Sequence, residues 1–592
     1  MGSNSALRLA VLLLLLAVCV QVLASVGTTS PTFDEPYHIV RSYVYLKTGD
    51  IALVARGGHP PLANMLSVAP LLLRSDIVLP AHQPGWPDVT SFKDLFRVAD
   101  QFFWRIGNDA ESMVFWSRLP MMLLSVLLAG LVFFWARQLN GTVAGPPASR
   151  SAGLLALLLY AFDPNILAHS SVVTTDFGAT FFIFVSLFCL WAFCRKPSWA
   201  RLVLTGGAFG LAQATKFSAL FLAPIFFVLL ALWVFDTAGS ALPLTLPLQS
   251  RLSGRPRLQR VYLVLALCCV ILVVGFVVLW GVYSFGVRPA LPHENSHPLL
   301  DRFIPANNPN IQRMVYALAE NVPIPAPAYF ADLDWLRRYS RSGHPTFLMG
   351  RYAIRGWWFY FPIAFAIKTP IPLLILLAAA VYLSLRHREE LRREYFLLVP
   401  MVLFFLMSMS SPIDIGYRNI LPVLPLAFVY VSKVSNRFVT GKTVGRTAAR
   451  CGRLALGLLC AWHVIGTVTL SPHFLAYFNE SVGGPGSGYR YLVDSNLDWG
   501  QDLKNLKKYL DREGIRQIYL SYFGTADPAY YGIDFLPIPD SAPALDDAPA
   551  YYAISATSLQ GVYTQGTTSV HWLAQYQPVE RVGYSIFVYR LP

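Results

Sequence analysis

The sequence predicts a polytopic α-helical membrane protein that ends in a small extracytoplasmic α/β domain. The chain has 592 residues, of which 55% are hydrophobic and only 14% are charged. Its mean hydropathy is +0.47, which is typical of a chain with many membrane-spanning segments. Apolar runs recur as far as residue 471, and after residue 472 the pattern changes to short strand-like and helical segments.

The apolar runs predict about eleven transmembrane helices, because a helix needs roughly 20 apolar residues to cross a bilayer. The region 201–235 is also compatible with one long helix and a re-entrant piece. The predicted spans are 7–25, 112–135, 152–169, 176–194, 201–215, 217–235, 261–285, 360–385, 396–410, 418–432 and 454–471.

Basic residues between the spans predict the orientation of the chain, because loops rich in Lys and Arg stay in the cytoplasm. They place the N-terminus inside and the segments 26–111, 286–357 and 472–592 outside. The first segment is predicted to be a retained anchor. The net charge of +14 is therefore a topology signal, and no nucleic-acid partner is expected. The basic residues are Arg137, Arg150, Arg195, Lys196, Arg201, Arg251, Arg255, Arg257, Arg260, Arg386, Arg388, Arg392, Arg393, Lys433, Arg437, Lys442, Arg446, Arg450 and Arg453.

The C-terminal 120 or so residues predict an α/β domain. Segments beginning GYRYLVDS, IRQIYLSYF, APAYYAIS and YSIFVYRL favour strands, and Trp499 to Glu513 has helical spacing that ends at Gly514. The run from Asp494 to Asp498 partly resembles the start of a calcium loop, but its glycine is displaced, so a strand end and helix cap are preferred. The seven cysteines lie in or beside apolar spans, and neither a disulfide framework nor a metal site is expected.

An adjacent acid pair, Asp34 and Glu35, follows the first span, where a membrane helix is expected to surface. Two carboxylates beside a membrane are costly unless they are hydrated or paired, so they are candidates for a functional site. The alternative is a solvated loop with a helix that begins at Asp34. A His59-Pro60-Pro61-Leu62 motif follows, and its prolines predict the start of a helix over 62–73 along the interface.

Cations at the predicted outer ends of spans are a second signal. Lys216, Lys368 and Arg418 gain nothing there from the orientation rule, so each is either a side chain that reaches the lipid headgroups or a ligand for a phosphate. Asp176 flanks a short outer turn, where it either serves structure or orients a substrate. His344 opens an ordered loop that returns to the membrane at a Trp-Trp pair.

Several stretches together resemble one family. The Asp-Glu pair followed by HPPLANML is similar to the lipid-linked-sugar-dependent O-mannosyltransferases and their bacterial relatives, which include aminoarabinose transferases. The stretches TKFSALFLAP, HPTFLMGRYAIRGWWFYFP, GYRNILPVLP, DSNLDWGQDL and YFGTADPAYYGI look like bacterial members. The similar stretches lie between residues 32 and 532. The resemblance implies the GT-C glycosyltransferase fold, with a catalytic transmembrane domain over 1–471, an extracytoplasmic domain over 472–592, and a prokaryotic plasma membrane.

The resemblance also implies roles for individual residues. Asp34 would be the catalytic carboxylate and Glu35 would bind the acceptor. The donor phosphate would be bound by His59, Lys216 and Arg418, and the residues that would orient a substrate are Asp176, Lys368 and His344. Relatives often carry a second carboxylate near the HPPL motif, whereas this chain has Gly57 and Gly58 there. Acceptor recognition is therefore expected to differ.

The implied activity is inverting transfer of a sugar from a polyprenyl-phosphate carrier to an acceptor hydroxyl on the outer face of the membrane. Mannose or a similar hexose is the expected sugar, and a protein, a lipid or a glycan is the expected acceptor. Lys and Arg can neutralise a phosphate monoester, so no metal or other cofactor is expected.

Two other functions stay open from the sequence. A flippase or transporter of lipid-linked sugar requires polar groups in the middle of its spans, whereas the charges here concentrate at the outer edge. A membrane protein that binds envelope glycans through its aromatic-rich tail is also compatible with the composition.

Overall fold

A computed structural model describes residues 3–51, 57–80, 86, 89, 92–144, 146–236, 256–289, 314, 321–440, 446–541, 550–564, 566 and 570–591. The predicted cytoplasmic residues Arg251, Arg255 and Lys442 lie outside the described residues. The same is true of 290–313 and 315–320 within the predicted outer loop 286–357, and of 52–56 and 81–85 within 26–111.

The N-terminal helices frame the acid pair. Helix α1 is mostly apolar and ends at Thr28, six residues before Asp34. Helix α2 has a proline in its first turn and stops at Gly49, which is in the left-handed conformation (φ 75°). The HPPL motif opens α3 at Leu62, as the two prolines predict, and a 3₁₀ turn continues it to Leu73. The helices are α1 Ser3–Thr28, α2 Glu35–Thr48, α3 Leu62–Val68, α4 Phe92–Asp100 and α5 Ala110–Ala144.

The next six helices contribute a large part of the main apolar core. A bend separates the first two of them, and Asp163 caps the second by accepting hydrogen bonds from the backbone N–H groups of Asn165 and Ile166. A break at 214–216 divides the predicted 201–235 region into two helices, and Lys216 lies in this break. The helices are α6 Pro146–Ala161, α7 Pro164–Ser170, α8 Thr175–Arg195, α9 Trp199–Gln213, α10 Leu222–Asp236 and α11 Pro256–Val282.

The chain then forms two short antiparallel strand pairs and returns to apolar helices. The pairs join β1 Val287–Pro289 to β2 Pro323–Pro325, and β3 Thr346–Leu348 to β4 Arg351–Ala353. The amphipathic α12 Pro327–Ser342 lies between them. The later helices are α13 Tyr360–Lys368, α14 Ile371–Arg386, α15 Arg388–Met409, α16 Val423–Val431, α17 Lys433–Thr440 and α18 Arg446–Val468.

The chain is a multi-pass membrane protein, as predicted, but the predicted number of spans is not confirmed. Among the described residues, six helices are long and apolar enough to cross a membrane, and the number is eight if each of two sharply bent pairs is one span. Three predicted spans, at 201–215, 396–410 and 418–432, coincide with shorter helical segments. Length and apolarity therefore do not decide whether these three cross the bilayer.

Helices α9 and α11 approach each other closely because glycines lie at their contact. A Cβ built on Gly210 would meet the carbonyl oxygen of Gly275 at 2.3 Å, and one built on Gly206 would meet the Val274 side chain at 2.7 Å. Gly206 and Gly210 are four residues apart, which places them on one face of α9 in the small-xxx-small pattern of membrane helix pairs.

The C-terminal region contains a mixed five-stranded sheet in the order β6-β5-β7-β9-β8. β5 pairs in parallel with β6 and β7, whereas β9 runs antiparallel to β7 and β8. The helix α19 Leu503–Glu513 packs on this sheet, and α20 Ala556–Leu559 follows β7. The strands are β5 Gln517–Ser521, β6 Asp534–Pro537, β7 Ala550–Ser555, β8 Glu580–Val582 and β9 Ile586–Leu591.

Three of the predicted strand segments coincide with β5, β7 and β9, and the fourth was wrong. The segment that begins at Gly488 forms 3₁₀ turns at Gly488–Arg490 and Asp494–Asn496. Its apolar residues pack against the apolar helices, since the consecutive Leu492 and Val493 are both buried in the main core. The predicted helix begins at Leu503 rather than at Trp499, and it ends at Gly514 as predicted.

Backbone hydrogen bonds join the loop after α1 to the C-terminal region. The N–H of Ser30 donates to the carbonyl of Gln501 at 2.9 Å, and the N–H of Phe33 donates to the carbonyl of Trp499 at 2.8 Å. The Thr525 hydroxyl donates to the carbonyl of Phe33 at 2.8 Å. The position of the acid pair is therefore fixed by residues almost 500 positions further along the chain.

The glycine contact between α9 and α11 gives a stability prediction. A methyl group at position 210 would push against the backbone of α11, and overpacking of this kind typically costs about 1–3 kcal/mol. We expect Gly210→Ala to lower the unfolding temperature of the detergent-solubilised protein. Gly207→Ala is the matched control on the same helix, because among the described residues no atom lies within 4 Å of a Cβ built there. Equal effects of the two variants would contradict the packing argument.

Candidate active site

A cavity of about 1100 Å³ lies where the first loop, the ends of several apolar helices and the C-terminal region meet. Predicted site residues that line it come from segments far apart in the chain: Asp34, His59, Asp176, Lys216, His344 and Arg418. Glu35 and Lys368 are not among the described residues that line it. The structure therefore brings six of the eight predicted residues to one cavity.

Asp34 immediately precedes α2 and contacts Arg418. The Arg418 Nη1 atom donates to Asp34 Oδ2 at 3.1 Å, and it lies 3.7 Å from Asp176 Oδ2. The guanidinium carbon of Arg418 is 4.2 Å from the centre of the Trp499 ring, so the cation is held over an aromatic face. Arg418 itself lies in a 3₁₀ turn, Tyr417–Ile420, that leads into α16.

Lys216 contacts the second acid of the cavity. Its Nζ atom donates to Asp176 Oδ1 at 2.5 Å and to Asn419 Oδ1 at 3.0 Å. Asp176 is the second residue of α8, and Lys216 precedes the 3₁₀ turn Phe217–Phe221. Asn419 adjoins Arg418 in the same turn. This turn therefore supplies one of the two cations and a hydrogen-bond acceptor for the other. The two Lys and Arg side chains that line the cavity in the described structure are thus each paired with a carboxylate.

The environment of Asp34 favours its neutral form. Burial raises the pKa of Asp34, and the nearby carboxylates of Asp494 and Asp176 add to this, although Arg418 opposes it. The net effect is a pKa above the ordinary aspartate value. A carboxylate with a raised pKa is a stronger base when it is ionised, which is the property required to take a proton from a hydroxyl.

His59 lines the cavity beside these cations. Burial, together with the charges of Lys216 and Arg41, lowers the pKa of His59 to about 3, so its imidazole is neutral near pH 7. Its Nδ1 atom is buried and makes no hydrogen bond within the described structure. In this state His59 can offer a hydrogen bond but no positive charge, so the predicted phosphate contact would be that of a neutral donor.

Gly57 and Gly58 stand where relatives often carry a second carboxylate, and no side chain fits at either position. A Cβ on Gly57 would meet the Arg41 guanidinium at 2.0 Å, and Gly58 has a φ of 64° with the Trp335 ring 2.4 Å from its Cβ position. Arg41 donates to the carbonyls of Gly57 and His59, and the N–H of Gly58 donates to Asp332 Oδ1 at 3.1 Å. This loop is therefore held from both sides by charged side chains.

Glu35 is placed differently from its predicted role in acceptor binding. It is fully buried and forms an ion pair with Arg118 at 2.7 Å. The backbone N–H groups of Thr32 and Val173 each donate to it at 2.8 Å. Burial alone would raise the pKa of Glu35, but Arg118 and these N–H donors lower it below its ordinary value. Because its oxygens are engaged by the protein, Glu35 lies in position to hold the loop and not to touch an acceptor.

Lys368 is also placed differently from the prediction. It is buried at the end of α13, where its Nζ atom donates to the carbonyls of Leu475 at 3.0 Å and Asn496 at 2.5 Å. The Phe478 ring lies 4.5 Å from the same atom. Lys368 therefore joins the helical part of the chain to the C-terminal region and does not reach the cavity, so a role in orienting a substrate is not supported.

Sequence reasoning missed several residues that the fold brings to the site or its support. Asp494 and Trp499 line the cavity although they lie in the C-terminal region, and Asn419 binds Lys216. Arg118 is an arginine within a predicted span, and an ionisable residue in that position is a signal of a buried partner. The signal for Trp499 is its place in DSNLDWGQDL, one of the stretches that carry the family resemblance.

A family model supports the resemblance that the motifs indicated. Residues 103–286 match the model described as dolichyl-phosphate-mannose-protein mannosyltransferase. The matched segment includes Asp176 and Lys216. No curated protein matches the chain in sequence. The resemblance to the O-mannosyltransferases is thus supported over these residues.

The chain is also similar to several solved structures. ArnT from Cupriavidus metallidurans bound to undecaprenyl phosphate is 14% identical, with 100% of this chain and 98% of that chain covered, and a TM-score of 0.44. The Saccharomyces cerevisiae protein O-mannosyltransferase Pmt1-Pmt2 complex bound to the sugar donor is 11% identical, with 80% and 90% covered, and a TM-score of 0.48. The oligosaccharyltransferase AglB from Archaeoglobus fulgidus is 12% identical, with 77% and 56% covered, and a TM-score of 0.39.

The Glu35–Arg118 pair gives a second stability prediction. Arg118→Leu would leave the Glu35 carboxylate buried without its cation, and breaking a buried pair typically costs about 3–5 kcal/mol. We expect a marked loss of thermal stability, measured as the unfolding temperature in detergent. Arg137→Leu is the matched control, since Arg137 is exposed on the same helix, α5.

The pair also predicts non-additivity. Replacing both Glu35 and Arg118 by Leu removes the two charges together, so the double variant should lose less stability than the sum of the two single variants. A strictly additive result would mean that the two side chains stabilise the fold independently.

Proposed function

We propose that this protein is an inverting glycosyltransferase that moves a sugar from a polyprenyl-phosphate carrier to an acceptor hydroxyl on the outer face of a prokaryotic plasma membrane. One observation carries the proposal: the carboxylate of Asp34 and the cations of Arg418 and Lys216 line the same cavity, with Asp34 and Arg418 in contact. The match to the mannosyltransferase family model supports the same reaction class.

The cations would bind the phosphate of the donor. Arg418 presents a planar guanidinium that suits two phosphate oxygens at once, and Lys216 adds a compact charge. Both contact carboxylates in the structure, so a phosphate entering the cavity would replace Asp34 as the partner of Arg418. This exchange would release the Asp34 carboxylate at the position where the acceptor arrives.

The reaction then needs one displacement. The acceptor oxygen attacks the anomeric carbon, the bond between that carbon and the phosphate oxygen breaks, and the polyprenyl phosphate leaves as an anion. Asp34 takes the proton of the acceptor hydroxyl. Lys216 and Arg418 bind the leaving phosphate more strongly as its negative charge grows, which lowers the barrier. A single displacement inverts the anomeric centre, because no carboxylate forms a glycosyl intermediate.

The apolar part of the cavity lining suits the polyprenyl chain. Leu220 and Phe221 come from the turn before α10, Phe361 comes from α13 and Met407 comes from α15. All four line the same cavity as Lys216 and Arg418. A lipid that entered between these helices would bring its phosphate directly to Lys216 and Arg418.

The sugar and the acceptor are proposed more coarsely. A mannose or a similar hexose is the proposed sugar, since the matched family model is that of mannosyltransferases. The acceptor is a hydroxyl of a protein, a lipid or a glycan. The cavity exceeds the volume of about 300–1,000 Å³ that typically holds one drug-sized ligand, so a sugar phosphate and part of an acceptor can occupy it together. No metal or other cofactor is included in this proposal.

Replacing the proposed base tests the mechanism. Asp34→Asn keeps the shape of the side chain but cannot take a proton, so we expect transfer to fall by about 10²–10⁴-fold. The measurement follows the sugar of a labelled polyprenyl-phosphate hexose. It records release of the sugar from the carrier and its transfer to an envelope extract from a strain that lacks this protein. Asp540→Asn, at an exposed aspartate outside the cavity, is the control. A fully active Asp34→Asn enzyme would remove the proposed mechanism.

The raised pKa of Asp34 adds a pH dependence. The ionised form is the base, so activity is present above the pKa and is lost as the pH falls through it. Since that pKa lies above 3.8, the acid limb of the kcat/KM profile should lie above the ordinary aspartate value. Asp34→Glu should retain partial activity, with the acid limb of its kcat/KM profile at a different pH. If the wild type and Asp34→Glu have the same acid limb, that limb reports the pKa of another group.

Binding of the carrier is a separate test that needs no acceptor. Arg418→Gln removes charged hydrogen bonds worth about 1.5–3 kcal/mol, so we expect the Kd for undecaprenyl phosphate to rise by roughly 10–100-fold. Lys216→Met should act in the same direction. Arg351→Gln is the control, because Arg351 is exposed on β4 and does not line the cavity. Unchanged binding in both cavity variants would place the phosphate elsewhere.

A further inference from the structure

Aromatic rings line the cavity next to Asp34 in an unbroken series. Phe33, the residue before Asp34, has its ring centre 5.5 Å from that of Phe96, and Phe96 has its ring centre 5.5 Å from that of Phe92. The three residues line the cavity. They come from the segment after α1 and from α4.

The series continues through the C-terminal region. The Phe33 ring stacks on Phe523 with 5.1 Å between centres, and Phe523 stacks on Tyr563 at 5.4 Å. Tyr563 then meets the ring of His344 edge-on at 5.7 Å. These three partners also line the cavity.

Helix α12 closes the circuit. The His344 ring lies 5.9 Å from Tyr339, which stacks on Trp335 at 5.0 Å with an interplanar angle of 10°. Trp335 lies 4.9 Å from Phe92, where the series began. Eight rings of the described chain therefore form a closed circle of contacts around one part of the cavity. We call these eight residues the aromatic collar.

The collar is not an ordinary piece of apolar core. None of its eight side chains is buried, and Tyr563 is 46% exposed, although rings of this size are normally covered. Aromatic side chains from four parts of the chain line one cavity. Such a concentration of exposed aromatic surface indicates a binding site rather than incidental exposure.

A third carboxylate lies against the collar. Asp494 lines the cavity and accepts a hydrogen bond from the Tyr563 hydroxyl at 2.6 Å. Its φ is 56°, a backbone conformation that is uncommon outside glycine and that often occurs at functional sites. In the described part of the chain no Lys or Arg lies within 4.0 Å of its carboxylate. The backbone N–H of Ser495 donates to its other oxygen at 2.5 Å, so both oxygens of Asp494 have neutral donors. Each oxygen keeps a lone-pair site that can accept a hydroxyl group.

This combination suits a sugar ring better than a peptide. The apolar C–H face of a pyranose packs against aromatic rings, and its hydroxyls donate to carboxylates, which accept up to four hydrogen bonds. A peptide in extended form usually binds by adding to a free strand edge. The strand that reaches the cavity at Ser521 is β5, and both of its edges are already paired, with β6 and β7.

We propose that the aromatic collar and Asp494 form the acceptor subsite, and that the acceptor is a glycan whose terminal pyranose packs on the collar with one hydroxyl directed to Asp34. This inference rests on the proposed function and names the acceptor class that the proposed function left open. Asp494 supplies the carboxylate of this subsite from the C-terminal region.

The test uses the purified full-length protein in detergent and two printed arrays, one of oligosaccharides and one of Ser/Thr-containing peptides. We expect the wild type to bind glycans. Trp335→Ala and Asp494→Asn should each weaken that binding at least tenfold. Trp358→Ala is the control for loss of an exposed tryptophan, and Tyr530→Phe is the control for the C-terminal region, because neither residue lines the cavity. Both controls should bind as the wild type does.

Binding of undecaprenyl phosphate is measured on the same proteins. The collar variants should keep it within twofold, which shows that they are folded and that the donor site is intact. Three results would overturn the collar proposal. They are glycan binding that is unchanged in the collar variants, binding of peptides alone, and no glycan binding by the wild type. Collar-dependent glycan binding by a wild type that does not bind undecaprenyl phosphate would support the collar and refute the proposed donor.

Discussion

The position of Asp34 depends on the buried ion pair between its neighbour Glu35 and Arg118. Arg118 donates to both Glu35 oxygens and also to the carbonyls of Thr29 and Ser30, so one guanidinium holds both the acid and the loop that precedes it. Moving two charges from water into a protein costs several kcal/mol for each ion, and only complete hydrogen bonding offsets that cost. The loop therefore has one strongly favoured arrangement, and this arrangement directs Asp34 towards the cavity.

Three carboxylates and two cations line the cavity in the described part of the chain. Both cations are engaged by carboxylates, and Arg418 is shared between Asp34 and Asp176. The proposed phosphate would displace the Asp34 carboxylate from Arg418, and the raised pKa of Asp34 lets this carboxylate take up a proton, which limits the build-up of negative charge. The C-terminal region completes this environment through Trp499 and Asp494, so it forms part of the cavity wall rather than a separate appendage.

Much of the fold follows from local pattern. Apolar length predicted the principal helices, the HPPL prolines predicted the start of α3, and strand-like segments predicted β5, β7 and β9. The prediction of a strand at 488–495 was wrong because its Tyr, Leu and Val residues are typical of strands but here pack against the apolar helices from a series of turns. The number of spans was not recoverable either, since short apolar helices can cross a bilayer, break within it or pack inside the bundle without any difference in composition.

The sequence by itself determined which residues carry charge at the ends of apolar segments, and it thereby pointed to Asp34, Lys216 and Arg418. Only the tertiary structure decided which of those charges face the cavity. Asp34 and Arg418 are 384 positions apart, and Glu35 and Arg118 are 83 apart, so neither pairing leaves a local pattern. In the sequence, Glu35 and Lys368 look like site residues. A carboxylate or an ammonium group is the same residue type whether it binds a substrate or a buried partner within the protein. Their burial against partners from distant segments makes them structural, and burial is a property of the fold rather than of the residue.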